Sequence, residues 1–364
     1  MAKRIFIAAT RQNDGKTTVS LGLMAILKQR FKRIGFIKPI GQRYLVEQGY
    51  NIDEDSYLIE EIFGIKSNLK DMSPIAIERG FTEKYIKDPD KKPLEKQITD
   101  AFEKIAEDND IVVIEGTGHA GVGSVFDLCN ADVAKMLNAK VIIISEGGIG
   151  RPIDEIMLSA SLFEKKGVDI AGVIINKVMS NKYNKVSELV KLGLKQHNID
   201  VLGVIPYLRI LDMPTMEHIQ DEFKVRLISG TDENMHNVIN NIIVATAKPQ
   251  VLLRQAKDKN LIIVSGDRED IIRLFLRESQ RRSKVEDFLR GFVLTCGIIP
   301  SRSMRKKLEK SKIPAMVVDQ DTYDAITRIE EMIVKIKPKD KDKIDMITSL
   351  VQDNLDVDKL LSII

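Results

Sequence analysis

The sequence predicts a doubly wound, mostly parallel α/β sheet followed by a second, smaller α/β domain, on three observations. Apolar runs short enough to be strands recur at residues 5–9, 34–37, 111–114, 141–144, 171–175 and 201–205, with helical stretches between them. The first run leads through a turn into Gly15-Lys16-Thr17-Thr18 and then an amphipathic stretch, residues 19–27. After Pro206 the pattern changes: Pro214 interrupts the chain and four shorter strand candidates follow, at residues 225–229, 261–265, 292–296 and 315–319.

The first strand, the loop and the helix behind it form an arrangement that cradles phosphate. Backbone N–H groups of the loop and the helix N-terminus face an anion, the Lys16 ammonium adds a point charge, and the Thr17 hydroxyl reaches Mg²⁺. Asn13, Asp14, Gly15 and Thr18 complete the expected phosphate-binding segment. Thr10 stands where the G-x-x-x-x-G-K-[ST] pattern has its first glycine, and Asp14 places an acid beside the phosphate path.

The second strand ends at Lys38-Pro39, which a standard winding would set next to the first strand. Lys38 there offers a second cation for the charge that spreads over a transferring phosphoryl group. Asp53, Glu54 and Asp55 precede a helical pattern at residues 57–62. Acids in a first helical turn cap it or hold a metal, and both readings are open for Asp55. The interval from residue 39 to residue 110 contains no convincing buried strand and reads as a helical cover or lid.

The third strand, residues 111–114, is apolar throughout, as expected for burial on both faces, and runs into Glu115-Gly116-Thr117-Gly118. Glu115 therefore reaches the carboxyl edge of a parallel sheet, where ligands bind and a carboxylate can hold Mg²⁺. His119 follows the glycines; a structural or solvent-facing role is expected for it before a catalytic one. The fourth strand ends in another glycine-rich connection, residues 146–152.

Taken in order, Thr10 with Gly15-Lys16-Thr17, Lys38-Pro39, Glu115-Gly116-Thr117-Gly118, Asn176-Lys177-Val178 and Gly203-Val204-Ile205-Pro206-Tyr207 resemble dethiobiotin synthetase and its P-loop relatives over about 210 residues. The resemblance implies that Lys16 and Lys38 bind phosphate and act with Glu115 in catalysis, and that Thr17, Asp55 and Glu115 hold Mg²⁺. It further implies that Asn176 reads the adenine edge of ATP, with Pro206 in the same nucleotide site. Met179, where guanine-specific sites carry an acid, favours adenine. The likeness is closer still to the N-terminal domain of long bacterial phosphate acetyltransferases. Residues 211–335 resemble the DRTGG domain that follows it there, best at Ser265-Gly266-Asp267-Arg268, although Glu269-Asp270-Ile271 stands where Thr-Gly-Gly is expected.

Departures from that family bear on the reaction. Gln42-Arg43 occupies the place of a small Ser-Gly pair that helps bind the diamine and its carbamate, and His119 replaces a usual glycine. Thr10, Gln42, Arg43 and His119 are therefore the candidate substrate residues. No acetyltransferase domain follows residue 364, so that activity is not expected. The expectation is an ATP- and Mg²⁺-binding protein, a slow ATPase of sensor, accessory or regulatory role; the alternative is a ligase-like enzyme acting on an amine or acid.

Composition narrows the classes. Lys+Arg 56 against Asp+Glu 53 gives a net charge of +3, and aromatics are 5%, so no nucleic-acid groove is marked. No run approaches the roughly 20 apolar residues of a membrane span, and no signal peptide is recognised, so the cytoplasm is expected. The 2 cysteines, Cys129 and Cys296, are far apart and suggest neither a disulfide framework nor a zinc site. The domain boundaries are expected at 1–210, 211–335 and 336–364, the last a charged linker and a terminal helix that docks on another subunit of a homo-oligomer, a dimer.

Overall fold

The computed structural model describes residues 2–282 and 285–364, which fall into two units: residues 2–207 with 341–364, and residues 208–340. In the first unit, six strands pair in parallel: β1 (Lys3–Ala9), β2 (Ile34–Ile37), β3 (Ile111–His119), β4 (Lys140–Glu146), β5 (Ile170–Val178) and β6 (Val201–Pro206). All are near-continuous apolar runs because both faces are covered; Ile5 to Ala9, Ile111 to Ile114 and Val141 to Ile144 are buried throughout.

The spatial order is β6-β5-β4-β1-β3-β2. The strand bearing Lys38 therefore does not lie next to the first strand as expected. β3 sits between them, pairing Ile5 with Val113 on one side and Phe36 with Val113 on the other. A longer crossover reaches across to the edge and the chain then returns to fill the gap, a winding that hydrophobic patterning alone does not distinguish from its neighbour.

Helix α1 (Lys16–Arg30) follows β1 directly. Its apolar residues are buried almost all round, from Val19 and Leu21 to Ile26 and Leu27, because it lies between the sheet and the helix Lys341–Asn354. That last contact corrects the expected docking on another subunit. The two C-terminal helices, Lys341–Asn354 and Val357–Ile363, pack onto their own first unit, and Lys3 Nζ donates to the Ile364 carbonyl oxygen at 2.7 Å. Close approach is set at Gly22, where a Cβ would stand 2.4 Å from Val351 Cγ2. Gly22→Ala is expected to destabilise the protein by about 1–3 kcal/mol through overpacking. Adding Val351→Ala should recover most of the loss in urea unfolding, since the clash is between these two residues.

The interval from residue 39 to residue 110 is not purely helical. It carries a hairpin, Tyr44–Glu47 with Tyr50–Asp53, and a short parallel pair, Ile40–Gly41 with Ile75–Ala76. The hairpin turn places Gln48 (φ 53°) and Gly49 (φ 81°) in the left-handed region, the geometry of a two-residue hairpin loop. Its strands mix exposed and half-buried residues, with Ile52 and Asp53 buried at the end, and carry no alternating apolar face, so periodicity gives no signal.

The second unit holds a five-stranded sheet: β7 (Leu227–Ser229), β8 (Asn241–Val244), β9 (Asn260–Ser265), β10 (Leu289–Thr295) and β11 (Ala315–Val317), ordered β7-β11-β10-β9-β8. Only β7 runs antiparallel to its neighbour. Along β9 the residues alternate between two cores: Ile262 and Val264 pack with Phe275 and Phe292, whereas Leu261 and Ile263 pack with Met216 and Val293. The short β8, with three apolar residues, was not recognised in the sequence. After β9, Gly266 has no room for a side chain: a Cβ there would lie 1.8 Å from the Ile298 carbonyl oxygen. Among the described residues no helix is long and apolar enough to cross a membrane.

Candidate functional site

The phosphate loop closes on itself before any ligand is considered. Asp14, the acid beside the phosphate path, is buried and accepts hydrogen bonds through Oδ2 from the Thr10 hydroxyl (2.7 Å) and the Arg11 N–H (2.8 Å). Thr10, which replaces the first glycine, has given its one hydroxyl proton to Asp14, and its Oγ1 lies within hydrogen-bond distance (3.1 Å) of Ser145 Oγ at the end of β4. Thr10 is thus a brace for the loop. Asn13 (φ 68°) and Gly15 (φ 97°) adopt left-handed conformations that turn the chain into α1. Gly15 supplies no side-chain cap, and the N–H groups of Gly15, Lys16 and Thr17 have no partner among the described residues. An uncapped N-terminus of a long helix leaves donors and the positive dipole end facing one point.

Because β3 lies between β1 and β2, Glu115 stands between the two lysines. Thr17 Oγ1 donates to Glu115 Oε1 at 3.0 Å, and Lys38 Nζ lies 3.8 Å from the same oxygen. Lys38 also forms ion pairs with Asp55 and, at 3.1 Å, with Asp53. Burial works against its charge, but Asp55, Asp53 and Glu115 outweigh burial and hold its pKa above the ordinary value. Asp53 doubles as the cap of α2 (Glu54–Phe63), accepting from the Asp55 N–H at 2.9 Å, which leaves the Asp55 carboxylate for Lys38. Lys16 Nζ donates to the Gly118 carbonyl at 3.0 Å. Burial, reinforced by the Lys38 charge, lowers its pKa although Glu115 and Asp14 oppose the shift.

Glu115 is fully buried. Burial first, and the Asp55 charge next, raise its pKa to about 7 against the pull of the lysines. Its Oε2 has no hydrogen-bond partner of good geometry among the described residues; the buried Ser20 hydroxyl beside the carboxylate favours its charged form without reaching good geometry. A buried carboxylate oxygen without a donor, one hydroxyl and a second carboxylate are the donor set that Mg²⁺ takes when water and phosphate complete its shell. Thr17, Asp55 and Glu115 therefore fit the ion. Among the described residues no group of three or more His, Cys, Asp or Glu side chains could hold a metal.

The loop after Glu115 is shaped by a register shift: between Ile7 and Ala9 of β1, the partner on β3 moves from Glu115 to His119. Gly116 allows it, since a Cβ there would lie 2.8 Å from Asn130 Oδ1. Asn130, unnoticed in the sequence, clamps the bulge by accepting from the Thr117 N–H (3.2 Å) and donating to the carbonyls of Thr117 and His119 (both 2.8 Å). Nothing distinguishes such an asparagine in sequence from any residue that opens a helix. His119 is exposed, and its Nδ1 accepts from the Gly121 N–H at 3.2 Å.

The remaining candidates do not all converge. Gln42 and Arg43 are exposed, in the turn between Gly41 and Tyr44; the Arg43 carbonyl accepts from the Glu54 N–H at 3.1 Å. Asn176 is buried at the end of β5 and donates from Nδ2 to the Asp14 carbonyl at 2.8 Å. Thr18 and Pro206 are half-buried.

A family model described as AAA domain matches residues 3–215, and one described as DRTGG domain matches residues 218–332. Phosphate acetyltransferase of Nitratidesulfovibrio vulgaris is 25% identical over 369 residues, covering 99% of this chain and 51% of that protein. The ATP-dependent dethiobiotin synthetase of Methanococcus vannielii is 28% identical over 203 residues, covering 55% of this chain and 92% of that protein. The chain spans about half the length of the acetyltransferases it matches. Among solved structures, the kinase domain of the Escherichia coli tyrosine kinase ETK aligns with a TM-score of 0.34 and 19% identity, over 49% of this chain and 68% of that one.

Proposed function

The chain belongs to the AAA domain family and carries a DRTGG domain behind it, and from that premise we propose an ATP- and Mg²⁺-binding protein, a slow ATPase whose role is sensory, accessory or regulatory. The observation that carries this reading is the convergence of Lys16, Thr17, Glu115, Lys38 and Asp55 at one sheet edge beside an uncapped helix N-terminus. In the proposed complex the loop N–H groups and Lys16 meet the phosphates. Thr17, Asp55 and Glu115 hold Mg²⁺, which supplies charge neutralisation at the phosphoryl oxygens. Lys38 remains beside those carboxylates as a second cation.

Asn176 selects the base in this reading. Its Nδ2 spends one of its two hydrogens on the Asp14 carbonyl, and Oδ1 is the acceptor it offers a ligand. An acceptor suits the exocyclic amine of adenine and opposes the carbonyl of guanine. Slow turnover follows from the surroundings of Glu115, where His119 spends its Nδ1 on Gly121 and is turned to solvent. Calorimetry with Mg²⁺ and either ATP or GTP tests the assignment; tighter binding of GTP would overturn the base preference.

The ligase-like reading draws on the dethiobiotin synthetase likeness, which extends over most of that enzyme's length. Gln42-Arg43 in place of a Ser-Gly pair weighs against the same substrate in this reading: Arg43 is exposed in its turn, and a guanidinium brought to the pocket by substrate would repel a diamine's ammonium. Diaminopelargonate with bicarbonate is expected to leave phosphate release from Mg²⁺·ATP unchanged within twofold, in both the unmodified protein and Arg43→Gly. Dethiobiotin formation by the unmodified protein would promote the ligase reading to first place.

A further inference from the structure

The end of β5 does more than approach a base. Lys177 is a non-glycine residue in the left-handed region (φ 56°), and this conformation accompanies a side chain whose Nζ donates to the Asn13 carbonyl at 3.0 Å. Its neighbour Asn176 donates to the next carbonyl of the same loop, that of Asp14, at 2.8 Å. Contact there is close: a Cβ on Gly15 would stand 2.1 Å from Asn176 Nδ2. One strand further in, the Ser145 and Thr10 hydroxyls lie 3.1 Å apart. Two successive carbonyls of the loop are thus held from outside, at the point where Asn13 and Gly15 carry positive φ. A left-handed lysine costs conformational energy that its surroundings must offset, and such positions gather where a site needs pre-organisation.

We propose that Lys177 is a positioning residue for the phosphate loop. Holding the carbonyls of residues 13 and 14 from the β5 side leaves the N–H groups of Gly15, Lys16 and Thr17 as the groups that meet an anion. Lys177 acts through the loop backbone and touches no part of the ligand. The inference rests on the reading of this loop as a phosphate site. It also binds the base-reading strand to the phosphate-reading loop, so that a change at one is felt at the other without a change in the ligand.

A ligand with no base separates positioning from base contact. Lys177→Met should weaken Mg²⁺·ATP and Mg²⁺·tripolyphosphate by the same factor, about fivefold, the scale of one charge-assisted hydrogen bond that is partly exposed. Lys177→Arg, which keeps a cationic donor, should restore most of the affinity for both. Amide exchange at residues 12–15 of the ligand-free protein should quicken in Lys177→Met, with the rest of the first unit unchanged. A loss confined to ATP would make Lys177 a base contact and overturn the proposal, as would unchanged affinity for both ligands. If the unmodified protein binds neither ligand, the phosphate reading itself fails. If it binds both and Lys177→Met does too with equal strength, only the positioning role falls.

Discussion

Replacing Glu115 by glutamine is expected to stabilise the metal-free protein at pH 8 by on the order of 2 to 3 kcal/mol while removing its Mg²⁺-dependent binding of ATP. Glu115 has its folded pKa raised from 4.5 to about 7, chiefly by burial. Between those values the unfolded chain has released its proton and the folded chain still holds it, so stability falls as pH rises from 4.5 through 7 and levels off above. Glutamine has no proton to release, and the same window should be flat for this group. Urea unfolding of both proteins at pH 5, 6, 7 and 8 measures the difference directly. Adding Mg²⁺ with ATP should reverse the order, because only the carboxylate supplies an anionic ligand at Oε1 and the unpartnered Oε2. A variant no more stable than the parent at pH 8 would mean that the lysines compensate Glu115 fully.

The parts of this site that could be read in the sequence were those with a local chemical signature. Gly15-Lys16-Thr17 follows a strand and opens a helix, and Glu115 ends an apolar run; both needed only chain order. All six strands of the first sheet were visible because burial on both faces leaves an unbroken apolar run. Their spatial order was not, since the choice between pairing β2 with β1 or with β3 leaves every residue equally buried. That one choice decides that Glu115 reaches both Thr17 and Lys38.

Illegible too were residues whose role is to satisfy backbone groups. Asn130 and Ser145 act on loops 13 and 135 residues away in sequence, through hydrogen bonds that any small polar residue could make. Asp14 is legible as an acid beside the phosphate path, but not that its carboxylate turns inward to Thr10 and Arg11. The C-terminal helices were misplaced because charge at residues 335–343 reads as solvated, whereas what decides their docking is the gap left by Gly22 on a distant helix.

The contrast between the two buried lysines gives the second large effect. Lys16→Ala is expected to weaken Mg²⁺·ATP by two to three orders of magnitude, about 3–4 kcal/mol, while leaving the fold intact. In the absence of ligand the Lys16 ammonium bonds the Gly118 carbonyl, and its lowered pKa marks a charge held at some cost. Removing it relieves burial and the repulsion from Lys38, so unfolding in urea should shift little. Lys38 is tied to Asp53, Asp55 and Glu115, and its removal would strand their charges in the interior. Calorimetry therefore reports on Lys16 where unfolding reports on Lys38. Unchanged ATP affinity in a folded Lys16→Ala protein would remove the phosphate-loop reading, because that reading rests on this ammonium neutralising phosphate charge beside the uncapped N-terminus of α1.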